Sequence, residues 1–146
     1  MSVLIRQLKD TDTNFIFSSY LKSLRPHRSN ITNKTFFSAE HKRMEFCLAN
    51  GITAVMVDVE DDSHIVGWCN GRVTPEKLIF NYVYIKHTYR GNGFAKQLIQ
   101  GFIDAVGHGR EIEYTIHVAA GINLIKRYNM IFDPYYFDFS QGANNV

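Results

Sequence analysis

Two glycines set two apart, Gly91 and Gly93, lie between an alternating apolar run that ends Tyr82-Val83-Tyr84-Ile85 and a helical pattern that begins Phe94-Ala95. At the start of a helix the first N–H groups have no intrahelical acceptor and the helix dipole adds partial positive charge. A phosphate can therefore be held there by backbone alone, provided no Cβ blocks its approach. Glycine removes the obstruction. The chemistry this order of residues suits is capture of a phosphate group at the turn that Gly91 and Gly93 open. A Walker A loop requires Lys and then Ser or Thr after its last glycine, and Gly93-Phe94-Ala95 has neither. A dinucleotide fingerprint requires a third glycine where Lys96 stands, although Glu111 and Glu113 follow at about the twenty-residue distance of a ribose-binding acid, so that reading stays open. The competing reading is a tight strand-to-helix turn with no ligand.

A second set of residues could move protons. Glu113, Thr115 and His117 share one face of a strand by period-two alternation, and a neutral imidazole accepts a proton near pH 7. His87, Tyr82 and Tyr84 flank the same turn, and Tyr135-Tyr136-Phe137 closes the aromatic content near the end of the chain.

These residues need a scaffold, and the order of patterns supplies one. Val3 to Leu8 alternates as a strand, Asp10-Thr11-Asp12 offers N-caps for a helix to about Leu24, and Arg25-Pro26 stops it. A second helix is expected from about Phe36 to Leu48, with Asn50-Gly51 as its C-terminal cap. Ile52 to Val59 and His64 to Val73 read as a hairpin around Asp61-Asp62-Ser63. Leu78 to Lys86 reads as a third strand of the meander, with Ile79, Val83 and Ile85 opposite Leu78, Phe80, Tyr82 and Tyr84. An amphipathic helix follows, with Phe94, Leu98, Phe102 and Val106 in one row and Ala95, Ile99 and Ile103 in the next, ending at Gly107. Glu111 to Val118 is the next strand, Ala119 to Asn129 a helix, and Met130 to Phe139 an aromatic strand interrupted by Asp133-Pro134. The order is β-α-α-β-β-β-α-β-α-β, and the crossover between the strands on either side of the amphipathic helix makes the sheet mixed.

Composition narrows the classes of function. A chain of 146 residues, 45% hydrophobic and 21% charged, is expected to form one domain, from 1 to 139 with a frayed tail from 140 to 146. No apolar run approaches the ~20 residues of a membrane helix, and a net charge of +2 is too small a footprint for nucleic acid. The local cluster of Lys22, Arg25, His27 and Arg28 reads as solvated surface. Cys47 and Cys69 form no CxxC pair and no His stands at metal-ligand spacing, so a reducing cytoplasm, free packed thiols and no metal are expected.

Arg90-Gly91-Asn92-Gly93-Phe94-Ala95 resembles the Arg/Gln-x-x-Gly-x-Gly/Ala pyrophosphate-binding motif of the GNAT acyltransferase family. Ile65-Val66-Gly67-Trp68 is similar to that family's third strand, and the element order is similar over nearly the whole chain. More loosely, Phe15 to Ser23 and Asp133 to Phe137 resemble short acetyltransferase-like proteins encoded by phages, which would place the chain in a host cytoplasm. The resemblance implies an α/β (α+β) fold with a mixed, mostly antiparallel central sheet and helices on both faces. It implies acetyl-CoA as cosubstrate, with Arg90 to Lys96 around the pyrophosphate and backbone groups of Tyr84 and Ile85 pairing with the pantetheine arm. The reaction it implies is N-acetyl transfer by direct attack of an amine on a small molecule, peptide or protein, by a monomer or homodimer with no nucleic acid or membrane partner. A non-catalytic CoA-binding or interaction protein of the same fold is the alternative. Glu113 matches a position where some members carry a catalytic Glu, and His117 is the second candidate base. The family's fourth helix usually ends Leu-Tyr, three residues, Gly-Phe, with the Tyr as proton donor. Here Leu124 is followed by Ile125 where that Tyr belongs, Asn129-Met130 replaces Gly-Phe, and Tyr128 is the substitute donor.

Overall fold

A computed structural model describes residues 1–116 and 121–137. The chain runs β1 (Val3–Gln7), α1 (Thr13–Leu24), α2 (Asn33–Asn50), β2 (Ile52–Asp58), β3 (Asp61–Val73), β4 (Lys77–Ile85), α3 (Phe94–Val106), β5 (Glu111–Tyr114), α4 (Ile122–Arg127) and β6 (Ile131–Phe132). This is the order expected from the sequence. The strands form one six-stranded sheet in the order β1-β2-β3-β4-β5-β6. The first four pair antiparallel, and β4 with β5 and β5 with β6 pair parallel. The expected tail from 140 to 146 lies outside the described residues.

Helices cover both faces because the central strands β2, β3 and β4 bury both of their sides. On one face α1 turns Ile16, Tyr20 and Leu24 inward at four-residue spacing, and these pack with Phe36, Met44 and Cys47 of α2 against Val55, Val57 and Trp68. On the other face Leu98, Ile99 and Phe102 of α3 pack against Met56, Val66, Cys69, Leu78 and Phe80. Full burial of such a side chain contributes about 1.5–3 kcal/mol. The Trp68 indole N–H donates to Ser19 Oγ at 2.8 Å, so the largest core side chain leaves no polar atom unpaired.

Several boundaries differ from the sequence expectation for physical reasons. Asp12 does not cap α1 with its side chain. Its carboxylate instead takes Arg6 Nη1 at 2.7 Å and the Lys9 N–H at 2.8 Å, with Arg6 also reaching Asp62 at the start of β3. The second helix starts three residues before Phe36, because Thr32 accepts from the Thr35 N–H and caps it. Gly51 is not a left-handed cap, since its φ is −120°. It is small because a Cβ there would meet Gly71 O at 2.6 Å and Cys47 O at 2.7 Å. The largest correction lies in β4. The β3–β4 register runs Asn70↔Tyr82 and then Gly71↔Phe80, which leaves Asn81 as a β-bulge. The bulge shifts the phase, so Leu78 and Phe80 join the α3 core together with Val83 and Ile85, while Tyr82 and Tyr84 pack on the α1 side.

Candidate active site

Strand β4 outruns its parallel neighbour. Among the described residues pairing with β5 ends at Phe80↔Tyr114, and Asn81 to Ile85 continue with β3 alone. A clasp marks where the strands part: Thr115 N–H donates to Phe80 O at 3.1 Å, Thr115 Oγ1 donates to Asn81 O at 3.3 Å, and Arg43 Nη2 donates to Thr115 Oγ1 at 3.0 Å. Beyond it opens a cleft of about 640 Å³, walled by β4, the 90–96 turn with the start of α3, Tyr114 and Ile116, and Leu124 and Ile125 of α4.

The exposed edge of β4 follows from its hydrogen-bond phase. Lys86 N–H donates to Val66 O at 2.8 Å, so alternate residues Tyr84 and Tyr82 turn their backbone groups toward β3. Val83 and Ile85 turn theirs toward the cleft. Of the two residues expected to offer backbone to an extended ligand, Ile85 has the right orientation and Tyr84 does not. Val83 shares the orientation of Ile85. Arg90 Nε already donates to Ile85 O at 2.9 Å, with its guanidinium carbon 5.9 Å from the centroid of Tyr84, so this side chain braces the strand end.

The glycine turn has the conformation a phosphate cradle requires. Gly91 and Gly93 sit at φ +83° and +77°, and a Cβ on either would meet no atom within 4 Å. The space above both is open. Gln97 N–H donates to Gly93 O at 3.1 Å, the first bond of α3, so the N–H groups of Phe94, Ala95 and Lys96 have no intrahelical acceptor. Arg90, Gly91, Gly93, Phe94, Ala95 and Lys96 all line the cleft. Asn92 does not, and its Nδ2 donates to Tyr89 O at 3.1 Å within the turn. Tyr89 itself lines the cleft, with its hydroxyl 2.9 Å from His64 Nε2.

The candidate acid and bases fare differently. Glu113 is 3% exposed, does not line the cleft, and pairs with Lys77 Nζ at 2.7 Å. This partner holds the Lys77 ammonium above its usual pKa. Tyr128 also lies away from the cleft, its hydroxyl donating to Gln100 Oε1 of α3 at 3.1 Å. His117 lies outside the described residues. Ile125, at the position of the family's Tyr, does line the cleft. His87 and Tyr135 are exposed and outside it, Tyr135 at 82%.

Three residues absent from the expected site line its α1 side: Ser23, His27 and Asn81. Tyr82 joins them, its hydroxyl 2.7 Å from Ser23 Oγ. Burial raises the Tyr82 pKa, against which the Ser23 hydrogen bond and the guanidinium groups of Arg90 and Arg28 pull it down. The phenol is therefore protonated at neutral pH. Asn81 Nδ2 donates to Asn70 Oδ1 at 2.7 Å, and Asn70 Nδ2 to Thr53 Oγ1 at 2.9 Å, so a buried amide pair fixes the bulge.

The model of the acetyltransferase (GNAT) family matches residues 17–128. The chain belongs to the GNAT family. No curated protein matches it by sequence. Its fold is that of solved GNAT structures. The PaiA N-acetyltransferase of Thermoplasma acidophilum in complex with coenzyme A has a TM-score of 0.62 at 15% identity, over 88% of each chain. A putative acetyltransferase of Pyrococcus furiosus has a TM-score of 0.63 at 12% identity, over 86% of this chain and 91% of that one. AAC(6')-Iy in complex with the bisubstrate analogue CoA-S-monomethyl-acetylneamine has a TM-score of 0.59 at 14% identity, over 89% and 91%.

Proposed function

We propose that this GNAT protein is an N-acetyltransferase that moves the acetyl group of acetyl-CoA to an amine by direct attack. The observation that carries the reading is the open, left-handed Gly91/Gly93 turn at the head of α3, directly beside the unpaired edge of β4. Coenzyme A complexes of neighbours with this fold support it. Acetyl-CoA supplies an activated thioester. The chain supplies the rest. The N–H groups of Phe94, Ala95 and Lys96 bind the pyrophosphate, and the edge groups of Val83 and Ile85 hold the pantetheine arm as an added strand would be held. Held along β4 in this way, the arm would direct the thioester toward Asn81 and Tyr82. There an amine that has already given its ammonium proton to solvent would bond to the acetyl carbon as the carbon–sulfur bond breaks, and the proton it then sheds balances the one delivered to the thiolate. The Tyr82 hydroxyl, protonated and placed by Ser23, is the group we assign to return a proton to the leaving thiolate. Glu113 is engaged by Lys77 and takes no part.

Calorimetric titration with acetyl-CoA tests the binding half, and thiol release with a panel of amines tests turnover. Ligand at one hundred times its Kd raises stability by about 2.7 kcal/mol, read as a shift in Tm. Gly93→Trp fills the open cradle and is expected to abolish this shift with the protein still folded. Tyr82→Phe is expected to lower kcat about a hundredfold with acetyl-CoA affinity unchanged. The presence of Ile125 in the cleft favours a second reading, a CoA-binding protein without turnover. Binding with no thiol release for any amine would establish that one.

A further inference from the structure

Strand β3 outlasts β4. Its pairing with β4 ends at Gly67↔Ile85, and its first residues run on beside β2, at Val57↔Ile65 and Asp58↔Asp61. The chain beyond Ile85 has left the sheet, and residues 87–93 bond mostly among themselves. Tyr89 N–H donates to Lys86 O at 2.9 Å, Arg90 N–H to His87 O at 3.2 Å and Asn92 Nδ2 to Tyr89 O at 3.1 Å, while Arg90 Nε returns to Ile85 O. Among the described residues, one hydrogen bond from this stretch reaches a strand other than β4. The Tyr89 hydroxyl stands 2.9 Å from Nε2 of His64, in the overhanging part of β3. The other ring nitrogen, Nδ1, faces Asp58 Oδ2 at 3.8 Å. Asp58 is itself held at the end of β2, where its Oδ1 accepts from Glu60 N–H at 2.9 Å.

These three side chains form a directed series. A carboxylate beside Nδ1 favours the tautomer with its proton there, which leaves Nε2 to accept the Tyr89 O–H. Tyr89 lines the cleft and His64 does not, so the hydroxyl is drawn outward while the ring stays as a wall. That ring meets Phe94 edge-on, with centroids 6.5 Å apart and planes at 70°. Phe94 opens α3, and its N–H is the first of the three offered to the pyrophosphate. The hydroxyl bond thus fixes the ring against which the head of α3 is packed. We propose that Asp58, His64 and Tyr89 are positioning residues for the cofactor turn, tying it to the overhang of β3 so that the N–H groups of Phe94, Ala95 and Lys96 are preset before the cofactor arrives. Their role rests on the acetyl-CoA reading above. It is exerted on affinity for the pyrophosphate, through preorganisation, and not on the thioester further along β4.

Calorimetric titration isolates this contribution. Tyr89→Phe and His64→Leu are each expected to raise the Kd for acetyl-CoA about fivefold, the loss of one ordinary hydrogen bond. The double variant is expected to be no weaker than either single one, because both remove the same bond. Asp58→Leu is expected to weaken binding in the wild-type protein but not in Tyr89→Phe. His64→Gln, whose amide can take the place of Nε2 and accept from the hydroxyl, is expected to stay within about twofold of wild type. S-acetylpantetheine, which lacks the pyrophosphate, is expected to bind all of these proteins equally in a chemical-shift titration. An unchanged acetyl-CoA Kd in both single variants overturns the proposal. Additive losses in either double variant, or a His64→Gln as weak as His64→Leu, also overturn it. So does an equal weakening of S-acetylpantetheine, which would show a general loss of structure. Failure of the wild-type protein to bind acetyl-CoA at all is a different result: it refutes the acetyl-CoA reading itself, and the positioning role falls with it.

Discussion

Gly91 and Gly93 hold left-handed backbone angles that cost an L side chain about 1–2 kcal/mol each. Gly91→Ala should therefore lower stability by about 1 kcal/mol in urea unfolding and weaken acetyl-CoA more than that, because its new methyl stands where open space now lies. The turn at these two residues was legible in the sequence since it is local, read within six positions. The Tyr82–Ser23 pair was not, since 59 positions separate its members and only the folded sheet brings them together. The carboxylates show the same limit. Period-two spacing puts Glu113 on a strand face without revealing that Lys77 of the neighbouring strand meets it. Glu113→Gln is accordingly expected to leave kcat within a few-fold of wild type in the thiol-release assay. Asp12 makes a pH prediction. The Arg6 hydrogen bond holds its carboxyl below the usual range, outweighing the burial that opposes it. A depressed folded pKa contributes stability above the unfolded value of about 3.9, and that contribution is lost as pH falls through the folded pKa. Asp12→Asn should therefore destabilise the protein at pH 7 by about 1–3 kcal/mol and by progressively less as the pH is lowered below about 4. The two thiols offer a control. Burial pushes the Cys47 thiol up to about 12 and raises Cys69 further, so neither should react with a disulfide reagent at pH 8 in the native protein. Thiol release from CoA can be followed without interference.

At the scale of elements, hydrophobic periodicity located the described α-helices and strands, whereas Pro134–Phe137, read in the sequence as part of an aromatic strand, forms a 3-10 helix after a β6 of only Ile131–Phe132, and capping chemistry misplaced the start of α2. The second helix shows why: Thr32 is an ordinary polar residue in the sequence, and its capping role depends on which of several adjacent hydroxyls and amides meets the first free N–H. In β4 the difficulty is deeper. Alternation along a strand presumes unbroken pairing, and the single unpaired Asn81 reverses the face of every residue after it. The bulge rests on a buried amide pair, so Asn81→Ala strands the Asn70 carbonyl oxygen and should cost about 1–3 kcal/mol, measured by denaturant unfolding. Its effect on kcat should exceed what that loss explains, because the same residue sets where Tyr82 leaves the sheet. Thr115→Val, which removes the clasp on Asn81 O while keeping its volume, should lower kcat with little change in acetyl-CoA affinity.

Across the whole molecule, the site is made where two pairing modes meet. Antiparallel strands give β4 one satisfied edge, and the parallel strand beyond it covers only the first half of the other. The mixed, mostly antiparallel sheet was legible because a strand, an amphipathic helix and a strand in succession force a parallel crossover. The splay was not, because it depends on how far β5 runs. The strand order has a further consequence. Every strand lies beside its predecessor in the chain, so no neighbour has to be awaited from downstream. A nascent chain emerging from the ribosome can close the β2–β4 meander before α3 exists, and loop-closure entropy stays low across its two hairpins, whereas β1 reaches β2 across α1 and α2. The short β5 and β6 join last. In hydrogen exchange the amides of β2 and β3 should be the slowest and those of the final strand the fastest. Refolding would then complete the Gly91/Gly93 turn only after the sheet that supports it has formed.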